Sequence, residues 1–296
     1  MPNSRIALTP TGPEFSQIAL GLWRLASWNM NAQERLKFVH QALELGISTV
    51  DHADIYGSEQ PFGDMLALEP SLRQRIEIVT KCGIVWRAHP SAPQIPHYNT
   101  SRAHIVASLE NSLRCLRTDY VDLLLIHRPD PLMQADEIAA AFNELHRAGK
   151  VRHFGVSNFT PAQFELLSSR HPLTTNQIEW SPLHLDPLHD GTLDQCQRLS
   201  ITPMIWSALA GGRLFSEQSP RAARLRASLS TLAAKYNVSV TTIVYAWLLQ
   251  HPSRPVVLTG SSRISVLQEA AAATAVNMSR EDWFLVWSAS TGTDVP

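Results

Sequence analysis

Short apolar, β-branched runs alternate with longer amphipathic stretches along this chain. The runs are FSQIALGL, ISTV, RIEIVT, VDLLLI, VRHFGV, TTNQI, ITPMIW and PVVLTG. Between most of them apolar residues recur at helical spacing. Phe38, Leu43 and Leu45 fall on one face of a helix expected over about 33–45, and Ile105, Leu109, Leu113 and Leu116 mark another. Asn31, Thr100 and Thr160-Pro161 stand where helices begin, as capping residues and a first-turn proline do. Gly46 and Gly149 follow helical patterns, where a helix is closed by a glycine. VDLLLI is apolar on both faces, as parallel strands covered on both sides are. Repeated strand–helix units imply right-handed crossovers. Eight such runs predict an α/β fold of the (β/α)8 TIM barrel type. A doubly wound open sheet is the competing architecture, but its usual GxGxxG turn after the first strand is absent.

Residues 5–8 and the following TPTGPEF predict an N-terminal hairpin that plugs one barrel end. The tail after Met278, with Trp283, Phe284 and Trp287, predicts a C-terminal docking helix. Residues 83–98, with Trp86, Pro90, Pro93 and Pro96, form a long non-helical stretch of the kind that carries function. No linker rich in Pro, Gly or Ser divides the chain, so one domain over 1–296 is expected.

Composition narrows the classes. Hydrophobic residues are 44% of the 296, enough for a large core. Lys and Arg number 25 against 26 Asp and Glu, a net charge of -1. That balance argues against a nucleic-acid partner and against disorder. Three cysteines, Cys82, Cys115 and Cys196, make no disulfide framework or zinc pattern. No apolar run reaches membrane-span length, and MPNSRIALTP does not read as a secretory leader. A cytoplasmic protein with no membrane partner is expected. Oligomeric state is open, and a monomer fits.

The polar residues fall at the strand ends. Reading the residue that closes each apolar run gives Asp51, Lys81, His127, Ser157-Asn158, Gln177, Trp206 and Ser261. In a barrel of this type the active site lies at the C-terminal strand ends. Tyr56 follows Asp51 within DHADIYG. A phenol near pKa 10 is poised poorly for proton transfer at neutral pH. A nearby ammonium lowers that value, and Lys81 can supply it while Asp51 holds Lys81. His127 can hydrogen-bond the same oxygen that Tyr56 protonates. Such a pocket suits protonation of a carbonyl oxygen as its carbon is attacked.

These residues resemble the aldo-keto reductase superfamily, in its bacterial branch of oxidoreductases. The likeness runs through DHADIYG, VTKCG, DYVDLLLIHRPD, GKVRHFGVSNF, TNQIEWSPL, WSALAGGRLF and LTGSSRI, in order and over nearly the whole chain. The resemblance implies NADPH-dependent reduction of aldehydes or ketones, with a small-molecule carbonyl as substrate. It implies Tyr56 as general acid, Lys81 as the residue that lowers its pKa, Asp51 as partner of Lys81, and His127 as the group that orients the carbonyl. Ser157, Asn158 and Gln177 would bind the nicotinamide carboxamide, and Trp206 would stack on its ring. Ser207 and Leu209 would contact the pyrophosphate. Ser261 and Arg263 would meet the 2′-phosphate of NADP, and Glu269 would lie near the adenine. The sequence departs from the pattern at Ala270, where many members carry an asparagine.

Two other classes stay open. A metal-dependent hydrolase or isomerase would use Asp51, His52 and Asp54, although adjacent residues of an extended segment point to opposite sides, and no metal site is expected. A non-catalytic, cofactor-binding subunit would keep the cofactor residues and scarcely turn over. His52, His153 and His184 read as structural. Trp23, Trp28, Trp86, His97, Tyr98 and the tail are expected to line the substrate pocket.

Overall fold

The computed structural model describes residues 4–86 and 95–295. Its centre is a closed barrel of eight parallel strands: β1 (Ile18–Gly21), β2 (Thr49–Asp51), β3 (Glu77–Cys82), β4 (Val121–Ile126), β5 (Val151–Ser157), β6 (Asn176–Glu179), β7 (Met204–Trp206) and β8 (Val256–Thr259). Each strand pairs with the next in sequence, and β8 closes on β1 through Val257 opposite Ile18. The helices are α1 (Ala32–Glu44), α2 (Glu59–Leu66), α3 (Arg102–Leu116), α4 (Ala135–Arg147), α5 (Pro161–Ser168), α6 (Thr192–Leu199), α7 (Arg213–Ser216), α8 (Pro220–Tyr236), α9 (Val240–Leu249), α10 (Ile264–Ala272) and α11 (Arg280–Thr291). This is the expected (β/α)8 arrangement.

Two cores follow from strand alternation. Val50, Ile78, Leu124, Ile126 and Ile205 join the layer between barrel and helices. Val79, Leu123, Leu125, Met204 and Val256 fill the barrel interior together with Ile6, Leu8 and Phe15. Those last three belong to the N-terminal hairpin, in which Arg5–Ala7 pairs antiparallel with Glu14–Ser16. Thr202, just before β7, donates its backbone N–H to Leu8 and its hydroxyl to Ala7. The hairpin therefore stoppers the N-terminal end of the barrel and leaves the C-terminal end as its mouth.

Local signals mostly hold. Asn31 and Glu34 form a reciprocal capping box at α1, as Thr160 and Gln163 do at α5. Gly46 and Gly149 adopt φ of 76° and 71°. Ile105, Leu109, Leu113 and Leu116 are buried on α3. The cap of α3, however, is Ser101 and not Thr100, because the Thr100 hydroxyl is spent on Asp130 at 2.9 Å. The tail forms α11, whose Trp283 stacks on Trp247 with ring centroids 5.0 Å apart. Each of these indoles donates to the other residue's carbonyl at 3.0 Å. In the stretch 83–98, Ile84–Val85 pairs antiparallel with His97–Tyr98, while Pro90 and Pro93 lie outside the described residues.

α2 approaches α3 closely at Gly63. A Cβ there would lie 2.0 Å from the Cys115 carbonyl oxygen of α3. Backbone cannot yield as a side-chain tip does. Gly63→Ala is expected to lower the unfolding free energy by about 2 kcal/mol, measured by urea denaturation, with helix content kept. An unchanged midpoint would show that α2 and α3 separate freely.

Candidate active site

Strand parity aims the polar residues at the mouth. Lys81 lies two residues past Val79, His127 two past Leu125, and Trp206 two past Met204, so each points where an interior residue points. Asp51 has the opposite parity to the outward Val50 and also faces inward. One more residue along each strand would have sent these groups into the helix layer.

The four expected catalytic residues meet there. The Lys81 ammonium donates to Asp51 Oδ1 at 2.5 Å and to the His52 carbonyl at 2.8 Å. Lys81 is 1% and Asp51 2% exposed. Gln177 Nε2 donates to the other Asp51 oxygen at 2.7 Å. Above this pair the Tyr56 hydroxyl lies 3.2 Å from His127 Nε2, with the two rings edge to face at 5.5 Å. The Lys81 nitrogen is 5.2 Å from the centre of the Tyr56 ring.

Electrostatics correct one expectation. Burial pushes the Tyr56 phenol above its ordinary pKa, and this outweighs the downward pull of Lys81. Asp51 pushes the phenol up as well. The ammonium is thus partly cancelled by the carboxylate that holds it. His127 is driven down to about 2, by burial first and then by the charges of Lys81 and Arg128. It is a neutral imidazole, and its buried Nδ1 has no hydrogen-bond partner.

A second set of side chains borders this centre. Ser157 Oγ donates to the Gln177 carbonyl at 2.9 Å. Asn158 Nδ2 donates to Ser157 Oγ at 2.8 Å, and Asn158 Oδ1 accepts from the Trp206 indole at 3.0 Å. Asn158, Ser207, Ala210, Gly211 and Gly212 all have positive φ. Leu209 is half-buried against the outer core. Ser261, Arg263 and Glu269 stand apart, on the β8–α10 turn and α10. Ser261 Oγ accepts from the Arg263 backbone N–H at 3.2 Å, and Arg263 is exposed. Ala270 is packed fully inside the outer core.

The alternative metal triad does not converge. Asp51 is taken by Lys81 and Gln177. His52 Nδ1 turns to Ser58 at 2.9 Å, and burial lowers its pKa to about 3. Asp54 accepts from Ser108 at 2.5 Å. Among the described residues no group of three or more His, Cys, Asp or Glu side chains is set to hold a metal.

Of the expected pocket residues, Trp28 packs into the outer core and Trp23 stays at the mouth. Trp28 packs edge-on against Phe38 in the outer core, with ring centroids 5.6 Å apart. Trp23 is 64% exposed beside Tyr56, with ring centroids 6.3 Å apart. Arg128, whose guanidinium carbon sits 5.5 Å from the Trp206 ring centre, was not assigned from sequence. Its signal was its position directly after His127 at a strand end.

The model of the aldo/keto reductase family matches residues 17–289. The chain belongs to the aldo-keto reductase family. It is 52% identical to "Oxidoreductase YdhF" of Escherichia coli (strain K12), over 99% of each chain. It is 42% identical to a "6-dehydroglucose reductase" of Agrobacterium fabrum, over 98% of this chain and 99% of that one. Among solved structures, the thermostable aldo-keto reductase Tm1743, in complex with epalrestat, superposes with a TM-score of 0.82 at 29% identity, over 97% and 99% of the two chains. This aldo-keto reductase is therefore an oxidoreductase acting on carbonyl chemistry, in a family that generally uses a nicotinamide cofactor.

Asp54 gives this reductase a pH signature. Burial raises its pKa to about 7; the Ser108 hydrogen bond opposes that rise and Glu59 adds to it. Between about pH 4 and 7 the folded protein keeps a proton that the unfolded chain has released, so stability falls as pH rises through that window. Asp54→Asn keeps an acceptor for Ser108 and removes the titration. The variant is expected to be more stable than the parent at pH 8 by about 2 kcal/mol, discounted for partial exposure, with no gain near pH 4. Parallel denaturation curves at both pH values would reject the raised pKa.

Proposed function

We propose that this protein reduces aldehydes or ketones to alcohols with NADPH, with Tyr56 as general acid, as one cytoplasmic domain over 1–296. The observation that supports it most is the meeting of the Tyr56 hydroxyl and His127 Nε2, 3.2 Å apart, above the buried Lys81–Asp51 pair. Two hydrogen-bonding atoms at that spacing can share one carbonyl oxygen. The three cysteines are free, which suits a reducing compartment.

The residues around the mouth suit a nicotinamide dinucleotide. Trp206 is partly exposed and locked in orientation by Asn158. Ser157, Asn158 and Gln177 offer amide and hydroxyl groups at adjacent strand ends. A Cβ at Gly211 or Gly212 would meet nothing within 4 Å. Successive left-handed residues in that turn, together with Ser207 and Ala210, give it the backbone form of phosphate-binding loops, although the Ala210 and Gly212 N–H groups donate within the turn to Ser207 and Leu209. Arg263 is an exposed guanidinium on the β8–α10 turn with no partner among the described residues, suited to the 2′-phosphate. Ser261 would share that contact, Leu209 would cover the pyrophosphate, and Glu269 would face the adenine.

When bound, the reduced cofactor supplies a hydride to the carbonyl carbon. His127, neutral across the physiological range, donates an N–H to the carbonyl oxygen and aims it at Tyr56. Tyr56 is fully protonated before reaction because burial holds its pKa up. It gives its proton to the oxygen as negative charge gathers there. Lys81, held by Asp51, steadies the phenolate until solvent restores the proton. Gln177 keeps Asp51 from drifting toward the phenol. The reductase name of the Agrobacterium relative favours a carbonyl substrate of the same kind.

Tyr56→Phe is expected to bind NADPH as the parent does, by fluorescence titration, and to lose turnover of a test aldehyde by about a thousandfold. Turnover near the parent's would remove Tyr56 as the acid. Arg263→Ala is expected to weaken NADPH by about tenfold and NADH hardly at all. Equal losses for both cofactors would show that Arg263 does not meet the 2′-phosphate.

A further inference from the structure

Arg128 stands directly after His127, at the end of β4, in a half-buried position. Its guanidinium lies 5.5 Å from the centre of the Trp206 ring. Its charge reaches both Tyr56 and His127. Among the described residues it makes no ion pair and no hydrogen bond. The carboxylates around it are committed or unmatched. Asp51 is held by Lys81 and Gln177. Asp130 accepts from Thr100 and from the Leu132 backbone N–H. Glu179, the register partner of Trp206 across β6 and β7, makes no ion pair among the described residues. Residues 87–94 contain no Asp or Glu. Arg24, beside Trp23, donates to the Gly260 carbonyl at 3.3 Å.

A guanidinium with five donors left unused beside the reacting atoms is costly to keep half-buried. A cation–π contact with Trp206 recovers only about 1 kcal/mol. A carboxylate recovers more, since its two oxygens match the guanidinium fork. The fork is also the one unpaired cation among the described residues that acts on both Tyr56 and His127. On the far side of the centre, Trp23 offers a broad exposed indole next to Tyr56, with the Arg24 guanidinium 6.0 Å from its ring centre.

We infer that Arg128 is a specificity-determining residue that binds a carboxylate on the substrate, so that the preferred substrates are carbonyl compounds carrying an acid group, with an apolar body against Trp23. This rests on the carbonyl-reductase reading and narrows it. His127 and Tyr56 grip the carbonyl oxygen, and Arg128 grips the far end. Two anchor points fix which carbonyl of a molecule is presented.

The experiment compares benzaldehyde with 2- and 4-carboxybenzaldehyde, and butyraldehyde with succinic semialdehyde, all with NADPH. The readout is the ratio of kcat/KM between acid-bearing and neutral members of each pair, which cancels general damage to a variant. In the parent the ratio is expected to favour at least one acid-bearing member by about tenfold or more. Arg128→Gln is expected to bring that ratio near one, mainly through KM, and Arg128→Lys to restore part of it. A ratio near one in the parent, or a ratio unmoved by Arg128→Gln, would overturn the inference. So would a tenfold loss of NADPH affinity in Arg128→Gln with the ratio intact, which would assign Arg128 to the cofactor.

A second measurement separates this inference from the reading beneath it. Benzoate and benzamide are titrated against tryptophan emission in the NADPH complex. Benzoate is expected to bind more tightly than benzamide, and Arg128→Gln to weaken benzoate alone by about tenfold. If this holds while no aldehyde is reduced, the anion site stands and the reductase reading fails. If both aldehydes of a pair are reduced equally and benzoate is indifferent to Arg128, the reductase reading stands and the acid-group inference falls.

Discussion

A charge buried in a barrel must be matched, and the Lys81–Asp51 pair is where this fold meets that demand. Taking either ion from water costs several kcal/mol, and a lone buried charge would be worse. Here both ions have close partners. Lys81 meets Asp51 and the His52 carbonyl, and the second Asp51 oxygen meets Gln177. Strands β2, β3 and β6 are thereby tied across the barrel's interior by side chains as well as by their sheet. The pair is a poor source of net stability. Its worth is positional, since it fixes a compensated charge directly beneath Tyr56.

That compensation sets the protonation states of the neighbours. A free ammonium would drag a phenol down strongly. With Asp51 beside it the pull of Lys81 is opposed, and burial wins at Tyr56. The same burial keeps His127 uncharged. Both groups that face the mouth from this centre are therefore uncharged at physiological pH. Such a surface receives a neutral carbonyl oxygen without first shedding a proton or repelling a partner.

Much of this was legible in the sequence because strand alternation is a strict code. Once VDLLLI is a strand with Leu123 and Leu125 inward, His127 must be inward too. The hairpin plug was legible because Ile6, Leu8 and Phe15 have no other core to join. What escaped depended on competition between partners, which a linear pattern does not carry. Thr100 looked like a cap, yet Asp130 claimed its hydroxyl and Ser101 took the role. Trp28 looked like pocket lining, yet Phe38 lay within reach. The direction of the Tyr56 shift required knowing how deeply the ring is buried and how fully Lys81 is paired. Arg128 escaped because its meaning lies in the partners it lacks.

The strained residues show the same division of labour. Asn158, Ser207 and Ala210 hold left-handed backbone without being glycine. Such conformations cost on the order of 1 kcal/mol or more each and persist only where surroundings enforce them. All three follow the C-terminal ends of β5 and β7, while Arg117, Ser200 and Arg254 hold the same conformation on the turns that lead into β4, β7 and β8. Asn158 spends its strained geometry on bonds to Ser157 and Trp206. The indole is thus aimed by a side chain whose own backbone is fixed by the turn. The stoppered end of the barrel can be packed for stability alone, since its apolar hairpin fills the interior. The mouth instead carries the polar side chains in a linked network, and the closed strand cylinder between the two ends is what lets one chain do both.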